Sequence, residues 1–352
     1  MGKDNFMIDG NKLLYHLERL NKWRRGELIA PIFVDLGINN TCNYRCLHCA
    51  FDYNHHQNYS LQREPLLRLM RDMGEVGVKS LLIGGTGEPT LNKNLVEAVE
   101  VGKASGLDIA LTTNGSFLDY EKMLRILPLL TWIRFSILAS SEDYYYRLHR
   151  PTTGTYYKVF ENLEHAVAVK KANQLDTTIS ILSCVFNHNI DDMEKLIVRV
   201  KKIGVDYIMI KPPSISVKNE NKIDVNFDFN DIKRLERYSD EKFNVIVRWN
   251  FFDDANSERE YTECLGLPFI CQIDGNGGVY SCGGFMDDDR FCYGNINETS
   301  FKDILRSGRM HEVMEWASKM PEKAKCISLC RQHSINKLLF RLKNPPDHVN
   351  FI

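Results

Sequence analysis

The segment IFVDLGINNTCNYRCLHCAFDY, residues 32–53, begins with a short apolar run and passes directly into a polar loop that holds three cysteines. The run Ile32–Ile38 has the length and apolar character of a buried strand. In the loop, Cys42, Cys46 and Cys49 have the spacing C-x3-C-x2-C, so a short stretch of chain can place three thiolates around one centre. Thiolates at this density select zinc or an iron–sulfur cluster.

The number of ligands distinguishes these two metals. A structural zinc is closed by four ligands, and zinc fingers usually pair one C-x2-C element with a second. Three thiolates suit a [4Fe–4S] cluster whose remaining iron is open to a substrate or cofactor. The pattern favours the cluster, with zinc or buried free thiols as the alternatives.

Composition limits the partners of the chain. Of its 352 residues, 43% are hydrophobic and 26% charged, which is enough to build a large core. The 45 Lys and Arg nearly balance the 46 Asp and Glu, so no positive field attracts nucleic acid or anionic membranes. No apolar run could span a bilayer, and Met1–Gly10 is unlike a signal peptide. We therefore expect a cytoplasmic protein with no nucleic-acid partner, in which the ten cysteines serve metal binding, catalysis or burial.

Short apolar runs alternate with helical patterns beyond the cysteine loop. Counting Ile32–Ile38, six such alternations predict an α/β fold with a parallel sheet and crossover helices, a partial (β/α)6 barrel. Ligands of such sheets bind at the carboxyl ends of the strands. The further predicted strands are Ser80–Ile83, Asp108–Thr112, Ile133–Ile137, Thr178–Val185 and Tyr207–Ile210. The predicted helices are Pro65–Val76, Leu95–Ser105, Tyr120–Leu127, Tyr157–Lys171 and Met193–Ile203.

The alternation stops at Lys211–Pro213, and the polar stretch that follows shows no periodicity. We place a domain boundary there, which gives a helical lead-in (1–30), the partial barrel (31–213) and a small cysteine-rich auxiliary-cluster domain with its tail (214–352). The elements predicted in this last part are a helix near Ile232–Tyr238, a strand near Val245–Trp249 and a hairpin of Phe269–Ile273 with Val279–Cys282.

The cysteine motif resembles that of the radical S-adenosylmethionine (SAM) superfamily, where an aromatic residue usually occupies the position of His48. The resemblance extends over roughly residues 32–330. It implies that Cys42, Cys46 and Cys49 bind a [4Fe–4S] cluster whose open iron chelates the amino and carboxylate groups of SAM. An electron from that cluster would cleave SAM to a 5′-deoxyadenosyl radical, which abstracts a hydrogen atom from the substrate.

Further segments at predicted strand ends look like the SAM-binding segments of this family. Gly84-Gly85-Thr86-Gly87-Glu88-Pro89 is a variant of its Gly-Gly-Glu-Pro segment, which holds the SAM amino group. The fourth strand reads Ser136-Ile137-Leu138-Ala139 where Ser-Leu-Asp is common, so no role of that Asp carries over. Taken singly, each segment is also ordinary turn chemistry. The cofactor-binding residues that the resemblance implies are Gly84, Gly85, Gly87, Glu88, Thr113, Asn114 and Ser136.

The cysteines after residue 213 are too many for chance use as small apolar residues. They resemble the SPASM or twitch extension of radical SAM enzymes, but the chain has fewer cysteines than a full SPASM extension and ends in C-x3-C rather than C-x2-C. We therefore expect one auxiliary [4Fe–4S] cluster, with a structural zinc as the alternative. Cys271 could replace Cys264 as a ligand, while Cys292 and Cys184 are most simply buried thiols. The expected metal ligands are Cys264, Cys282, Cys326 and Cys330.

Radical SAM enzymes with such extensions act on peptides, sulfatases, sugars or aminocyclitols. About thirty residues precede the first predicted strand, too few for the extra leader-binding domain that peptide-modifying members often carry. We therefore expect a small polar substrate, such as a carbohydrate or nucleotide-linked sugar, and a flavodoxin- or ferredoxin-type reductant.

An auxiliary cluster beside the substrate would accept its second electron, so the expected reaction is a net two-electron oxidation by a dehydrogenase-like oxidoreductase. The alternatives are a peptide- or protein-modifying maturase, an epimerase in which Cys271 or Cys292 returns a hydrogen atom, and a non-catalytic metal protein. The segment 144–150, Tyr-Tyr-Tyr-Arg-Leu-His-Arg, could stack on a polar substrate or form a surface helix with buried tyrosines.

Overall fold

The computed structural model describes residues 9–351, apart from 187, 215–218, 222, 224–226, 255–258, 320–325 and 327–329. Its strands are β1 (Phe33–Leu36), β2 (Ser80–Ile83), β3 (Asp108–Thr113), β4 (Leu130–Ser136), β5 (Thr178–Cys184), β6 (Tyr207–Lys211), β7 (Asn244–Val247), β8 (Ile270–Ile273), β9 (Gly278–Tyr280) and β10 (Cys292–Asn295). Its helices are α1 (Leu17–Arg24), α2 (Arg63–Val76), α3 (Leu95–Ala104), α4 (Tyr120–Ile126), α5 (Glu142–His149), α6 (Tyr156–Ala172), α7 (Ile190–Ile203), α8 (Phe229–Arg234), α9 (Trp249–Asp254), α10 (Phe301–Ile304), α11 (Gly308–Ser318) and α12 (His333–Lys343). Among the described residues, no helix has both the length and the apolar character that crossing a membrane requires.

All strands belong to one sheet in the order β10-β9-β8-β1-β2-β3-β4-β5-β6-β7. The strands from β1 to β7 pair in parallel in chain order, and β8 adds in parallel to the other side of β1. The predicted α/β class with a largely parallel, barrel-like sheet is confirmed. The carboxyl ends of these strands meet at one edge, where the cysteine loop leaves β1.

The sheet continues across the predicted boundary at Pro213. Val247 of β7 pairs with Ile210 of β6, and Ile273 of β8 pairs with Leu36 of β1. Residues expected in a separate small domain therefore extend the barrel sheet on both sides. The strand near Val245–Trp249 was predicted, but its pairing with β6 was not, because the long polar connection after β6 carries no periodic signal that links the two. The division at 213/214 stays a prediction.

The two faces of the parallel strands meet different surroundings. Val34 and Leu36 of β1 are both 0% exposed and belong to the main apolar core. Side chains alternate along a strand, so Asp35 points to the opposite face, where it lines an internal cavity. On β4, Arg134 lines the same cavity. The inner face of the sheet thus carries polar residues next to a solvent-accessible space.

The N-terminal lead-in packs against the last helix. A 3-10 helix, Gly10–Tyr15, and α1 share a buried apolar cluster with Ile335 and Leu339 of α12. The Gly10 N–H donates to Ser334 Oγ at 3.0 Å. A Cβ on Gly10 would lie 2.4 Å from the Ile335 nitrogen, so this close approach requires glycine. The lead-in and the region after the barrel therefore support one another.

Candidate active site

A cavity of about 380 Å³ opens among the carboxyl ends of the strands. Its volume lies in the range of small-molecule sites. The cavity gathers residues from the loops after β1, β2 and β3 and from the end of β4, which lie far apart in the sequence. Its lining includes Cys42, Cys46, Cys49, Gly84, Gly85, Gly87, Glu88, Thr113, Asn114 and Ser136, the residues expected to act in catalysis and cofactor binding.

The Glu88 carboxylate is held by the end of β3. Its Oε2 accepts a hydrogen bond from the Asn114 N–H at 2.7 Å, and its Oε1 accepts from Thr113 Oγ1 at 2.5 Å and Thr90 Oγ1 at 2.6 Å. Burial raises the pKa of Glu88 and these hydrogen bonds lower it. The effect of burial is the larger, so the pKa lies above its usual value. A nearby cation would favour the ionised form, and Oε2 keeps acceptor capacity for an ammonium group. Glu88 is therefore our candidate for the SAM amino group.

The loop after β2 lies directly against the cysteine loop. The Glu88 N–H donates to the Thr41 carbonyl at 2.9 Å, and Asn39 Nδ2 donates to the Glu88 carbonyl at 3.0 Å. A Cβ on Gly87 would lie 2.4 Å from the Thr41 carbonyl oxygen, so only glycine permits this approach. Thr86 Oγ1 adds a bond to the Asn39 carbonyl at 3.2 Å. These contacts explain why this copy of the segment carries Thr and Gly before Glu88.

The thiols of Cys42, Cys46 and Cys49 face this cavity together. Burial is the main cause that raises the pKa of Cys42 to about 12 and of Cys49 to about 11, and that of Cys46 well above its usual value. Without metal the thiols stay protonated, and a thiophilic metal would displace the protons. Among the described residues, no three His, Cys, Asp or Glu side chains converge closely enough to hold a single metal ion. The three-thiol donor set fits an iron–sulfur cluster with an open iron.

His149, the last residue of α5, belongs to the segment 144–150 that was considered for substrate stacking, and its position beside the cysteine loop was not predicted. It is 0% exposed, and its Nε2 accepts the Leu138 N–H at 3.0 Å. Because Nε2 is the acceptor, the proton of the neutral ring lies on Nδ1, which is 3.5 Å from Cys46 Sγ. Burial lowers the pKa of His149 well below its usual value, so the ring stays neutral. One imidazole N–H therefore points at a candidate ligand sulfur.

The rest of α5 supports the cysteine loop from behind. Tyr145 is 0% exposed, and its hydroxyl lies 2.7 Å from that of Tyr44, which belongs to the cysteine loop. Tyr44 also bonds to Thr155 Oγ1 at 2.6 Å. The cavity lining includes His149 of α5 but not Tyr144, Tyr145 or Tyr146 of the same helix. Tyr145 is buried and the other two are half-buried, so the geometry favours a packed surface helix over a stacking platform for the substrate.

The later cysteines fall into two groups. Burial, followed by the charges of Cys330 and Cys326, raises the pKa of Cys264 to about 12. Burial, followed by the charges of Cys330, Cys264 and Cys326, also raises the pKa of Cys282. Cys282 and Cys330 also line the cavity. Cys271 instead is 2% exposed in the main core on β8, where burial, followed by the charge of Cys292, raises its pKa. The geometry therefore supports Cys264 over Cys271 as the fourth ligand.

Two family models match this chain. Residues 36–200 match the radical SAM superfamily, and residues 264–332 match the SPASM iron–sulfur cluster-binding domain. The chain therefore contains a radical SAM domain followed by a SPASM domain. Its cofactors are accordingly a [4Fe–4S] cluster and SAM, and the SPASM match implies auxiliary iron–sulfur binding in the second region.

Curated relatives of this radical SAM protein have different names. A "Probable GTP 3′,8-cyclase" of Saccharolobus solfataricus is 32% identical over 136 residues, which cover 38% of this chain and 42% of the cyclase. A "Tungsten-containing aldehyde ferredoxin oxidoreductase cofactor-modifying protein" of Pyrococcus furiosus is 21% identical over 304 residues, 79% of this chain and 81% of that protein. The chain thus spans about half or less of the length of the cyclase relatives it matches.

Solved structures share the fold at low sequence identity. Streptococcus suis SuiB bound to its precursor peptide SuiA superposes with a TM-score of 0.66 at 16% identity, covering 92% of this chain and 75% of SuiB. Native anSMEcpe with bound AdoMet gives a TM-score of 0.61 at 17% identity, covering 90% of this chain and 97% of that chain. These likenesses establish the fold.

We expect Gly87→Ala to displace the cysteine loop, because its Cβ would overlap the Thr41 carbonyl. Iron bound after anaerobic reconstitution should fall by about four per chain, the content of one four-iron cluster. Gly84→Ala in the same turn is the matched control, since its Cβ would lie an ordinary 3.5 Å from Thr112 Cβ. Full iron content in a folded Gly87→Ala variant would contradict the proposed contact.

We expect His149→Phe to lower the reduction potential of the first cluster, because a hydrogen bond to a ligand sulfur stabilises the reduced state. A bond of about 1–1.5 kcal/mol corresponds to a shift of up to about 60 mV for one electron. His149→Gln should restore the potential, because its amide can accept from Leu138 and donate to Cys46. A redox titration followed by electron paramagnetic resonance measures this, and equal potentials in all three proteins would rule the bond out.

Proposed function

We propose that this radical SAM enzyme removes a hydrogen atom from a small polar substrate, of the carbohydrate or nucleotide-sugar type, and oxidises it by two electrons. One observation carries the proposal: a single cavity is lined by Cys42, Cys46 and Cys49 and also by Cys282 and Cys330. When bound, the first cluster would supply the electron that cleaves SAM, and the auxiliary cluster would accept an electron from the substrate.

The residues of the chain would orient SAM in this cavity. Glu88 Oε2 would accept a hydrogen bond from the SAM ammonium, and Ser136 lies at the end of β4 on the cavity wall. The Asn114 side chain is already hydrogen-bonded to two neighbours, since Nδ2 donates to Asn43 Oδ1 of the cysteine loop at 2.9 Å and Oδ1 accepts from Ser116 Oγ at 2.7 Å. Asn114 would therefore act through its backbone N–H, which holds Glu88 in place.

Peptide modification is the second candidate. SuiB with its precursor peptide and anSMEcpe with a bound peptide share the fold of this chain at 16% and 18% identity. The relatives that match by sequence are named instead for GTP cyclisation and for cofactor modification. These names favour a small substrate.

Epimerisation would need a thiol at the cavity to return a hydrogen atom. Neither Cys271 nor Cys292, the donors suggested by the sequence, is among the described residues that line it, whereas Cys184 at the end of β5 is. Burial raises the pKa of Cys184, so its S–H is retained. If this chain returns a hydrogen atom, Cys184 is the candidate donor.

We expect the native protein to bind about eight irons after reconstitution, and a Cys42→Ala, Cys46→Ala, Cys49→Ala triple variant about four. The triple variant should release no 5′-deoxyadenosine from SAM in the presence of dithionite, because its other cluster is fully ligated. Cys271→Ala is the control for a buried thiol outside both sets and should behave as the native protein. Release of 5′-deoxyadenosine by the triple variant would falsify the assignment of the catalytic cysteines. Stoichiometric zinc in the purified protein would instead identify the later cysteine set as a structural zinc site.

We expect oxidation to consume one SAM per product and to yield a product that lacks two hydrogen atoms. The measurement is mass spectrometry after turnover in deuterated water with a panel of sugars, nucleotide sugars and nucleotides. A product of unchanged mass that carries solvent deuterium would show epimerisation instead. In that case Cys184→Ala should abolish product formation but not SAM cleavage.

A further inference from the structure

Cationic side chains collect on the wall of the active-site cavity. Arg134 of β4, Lys211 at the end of β6 and Arg331 just before α12 all line it. The carboxylates among the described lining residues are Asp35 and Glu88. The three cationic residues are far apart in the sequence, so it is the fold that brings them together.

The two carboxylates are committed to other partners. Asp35 Oδ2 lies 2.5 Å from Arg331 Nη1, and Glu88 accepts the hydrogen bonds from Thr90, Thr113 and Asn114 described above. Neither carboxylate pairs with Arg134 or Lys211 within the described part of the chain. Two cations in the cavity therefore lack a protein counter-ion there.

The hydrogen-bond partners of Arg134 and Lys211 among the described residues are neutral. Arg134 is 5% exposed, its Nη2 donates to the Tyr207 hydroxyl at 2.9 Å, and its Nε is buried without a hydrogen-bond partner among the described residues. The guanidinium also lies 4.5 Å from the centre of the Trp132 ring. Lys211 Nζ donates to Ser214 Oγ at 2.9 Å. Burying an unpaired charge costs free energy, and a bound anion would offset that cost at this place.

The cations also act on one another. Burial lowers the pKa of Lys211, and the charges of Arg248, Arg331 and Arg134 lower it further, against the opposite effect of Cys184. Burial, followed by the charges of Arg134 and Arg331, likewise lowers the pKa of Arg248. An anion in the cavity would relieve this repulsion.

SAM does not meet this need, because its sulfonium and ammonium leave it with a net positive charge and its carboxylate is expected to bind the open iron. Cluster thiolates would offset nearby cations such as Arg331, which follows Cys330 directly in the chain. Arg134 belongs to β4, on neither cysteine segment. The unmatched charge is therefore left for the substrate.

We propose that Arg134 and Lys211 bind an anionic group of the substrate, a phosphate or a carboxylate, and so fix which end of the substrate faces the cysteine loop. The proposal rests on the proposed function, since it takes the cavity as the substrate site. A guanidinium offers five donors in a planar fork that matches either anion. Among the substrates proposed above, a nucleotide-linked sugar carries such a group and a neutral sugar does not.

The test measures anion binding by the reconstituted protein with SAM, using anaerobic calorimetry. The probes are inorganic pyrophosphate and malonate, which separate phosphate from carboxylate recognition. We expect the native protein to bind one probe and Arg134→Gln or Lys211→Gln to weaken that binding by about 10- to 100-fold. Arg306→Gln, an exposed arginine outside the cavity, is the control and should leave the affinity unchanged.

Absence of binding by either probe, or equal binding by the native protein and both variants, overturns the proposal. A change in cluster potential without loss of probe affinity would also overturn it, because the cations would then balance cluster charge. If Arg134→Gln does not fold, the less buried Lys211→Gln carries the test. Release of 5′-deoxyadenosine is measured in parallel, so that failure of the proposed function is distinguished from failure of the anion site.

Discussion

The contact between the loop after β2 and the cysteine loop is the constraint on which the site depends. The backbone of Thr41 accepts the Glu88 N–H, while the carboxylate of the same Glu88 accepts the Asn114 N–H at the end of β3. One residue thus joins three strand ends. Burial makes this arrangement rigid, because moving any of the partners would leave a desolvated carboxylate without hydrogen bonds.

The start of the cysteine loop, at Asn39 and Asn40, also contacts the SPASM region. On its other side, a Cβ on Gly275 would lie 2.4 Å from the Asn39 carbonyl carbon, and the Gly275 N–H donates to Asn40 Oδ1 at 3.1 Å. The turn between β8 and β9 is therefore fixed against the start of the cysteine loop. β8 also pairs with β1, and β9, the strand that leads to Cys282, pairs with β8, so it lies one strand away from the strand that leads to Cys42. This explains how two distant cysteine sets come to share one cavity.

The local elements could be predicted from the sequence, and their partners could not. Ser80–Ile83 was predicted with its observed bounds, because a short apolar run between a helical pattern and a glycine-rich turn has few other interpretations. β7 was foreseen as a strand, but pairing with β6 depends on a long connection that carries no periodic signal. His149 gave no signal either, since a histidine at a helix end looks the same whether it faces solvent or a sulfur.

By itself, the sequence determined the chemistry: the spacing of Cys42, Cys46 and Cys49, together with the segment around Glu88, indicates the radical SAM family because few other ligand sets use three close thiolates. Only the tertiary structure decided the geometry. It separated Cys271 from Cys264, although both precede Cys282 on the same hairpin region, because β8 turns Cys271 into the core. It also gathered Arg134 and Lys211 from different strands into one cavity. The interaction between two charges depends on the distance between them in space, so the charge balance of the cavity depends on the fold and cannot be predicted from the order of residues in the sequence.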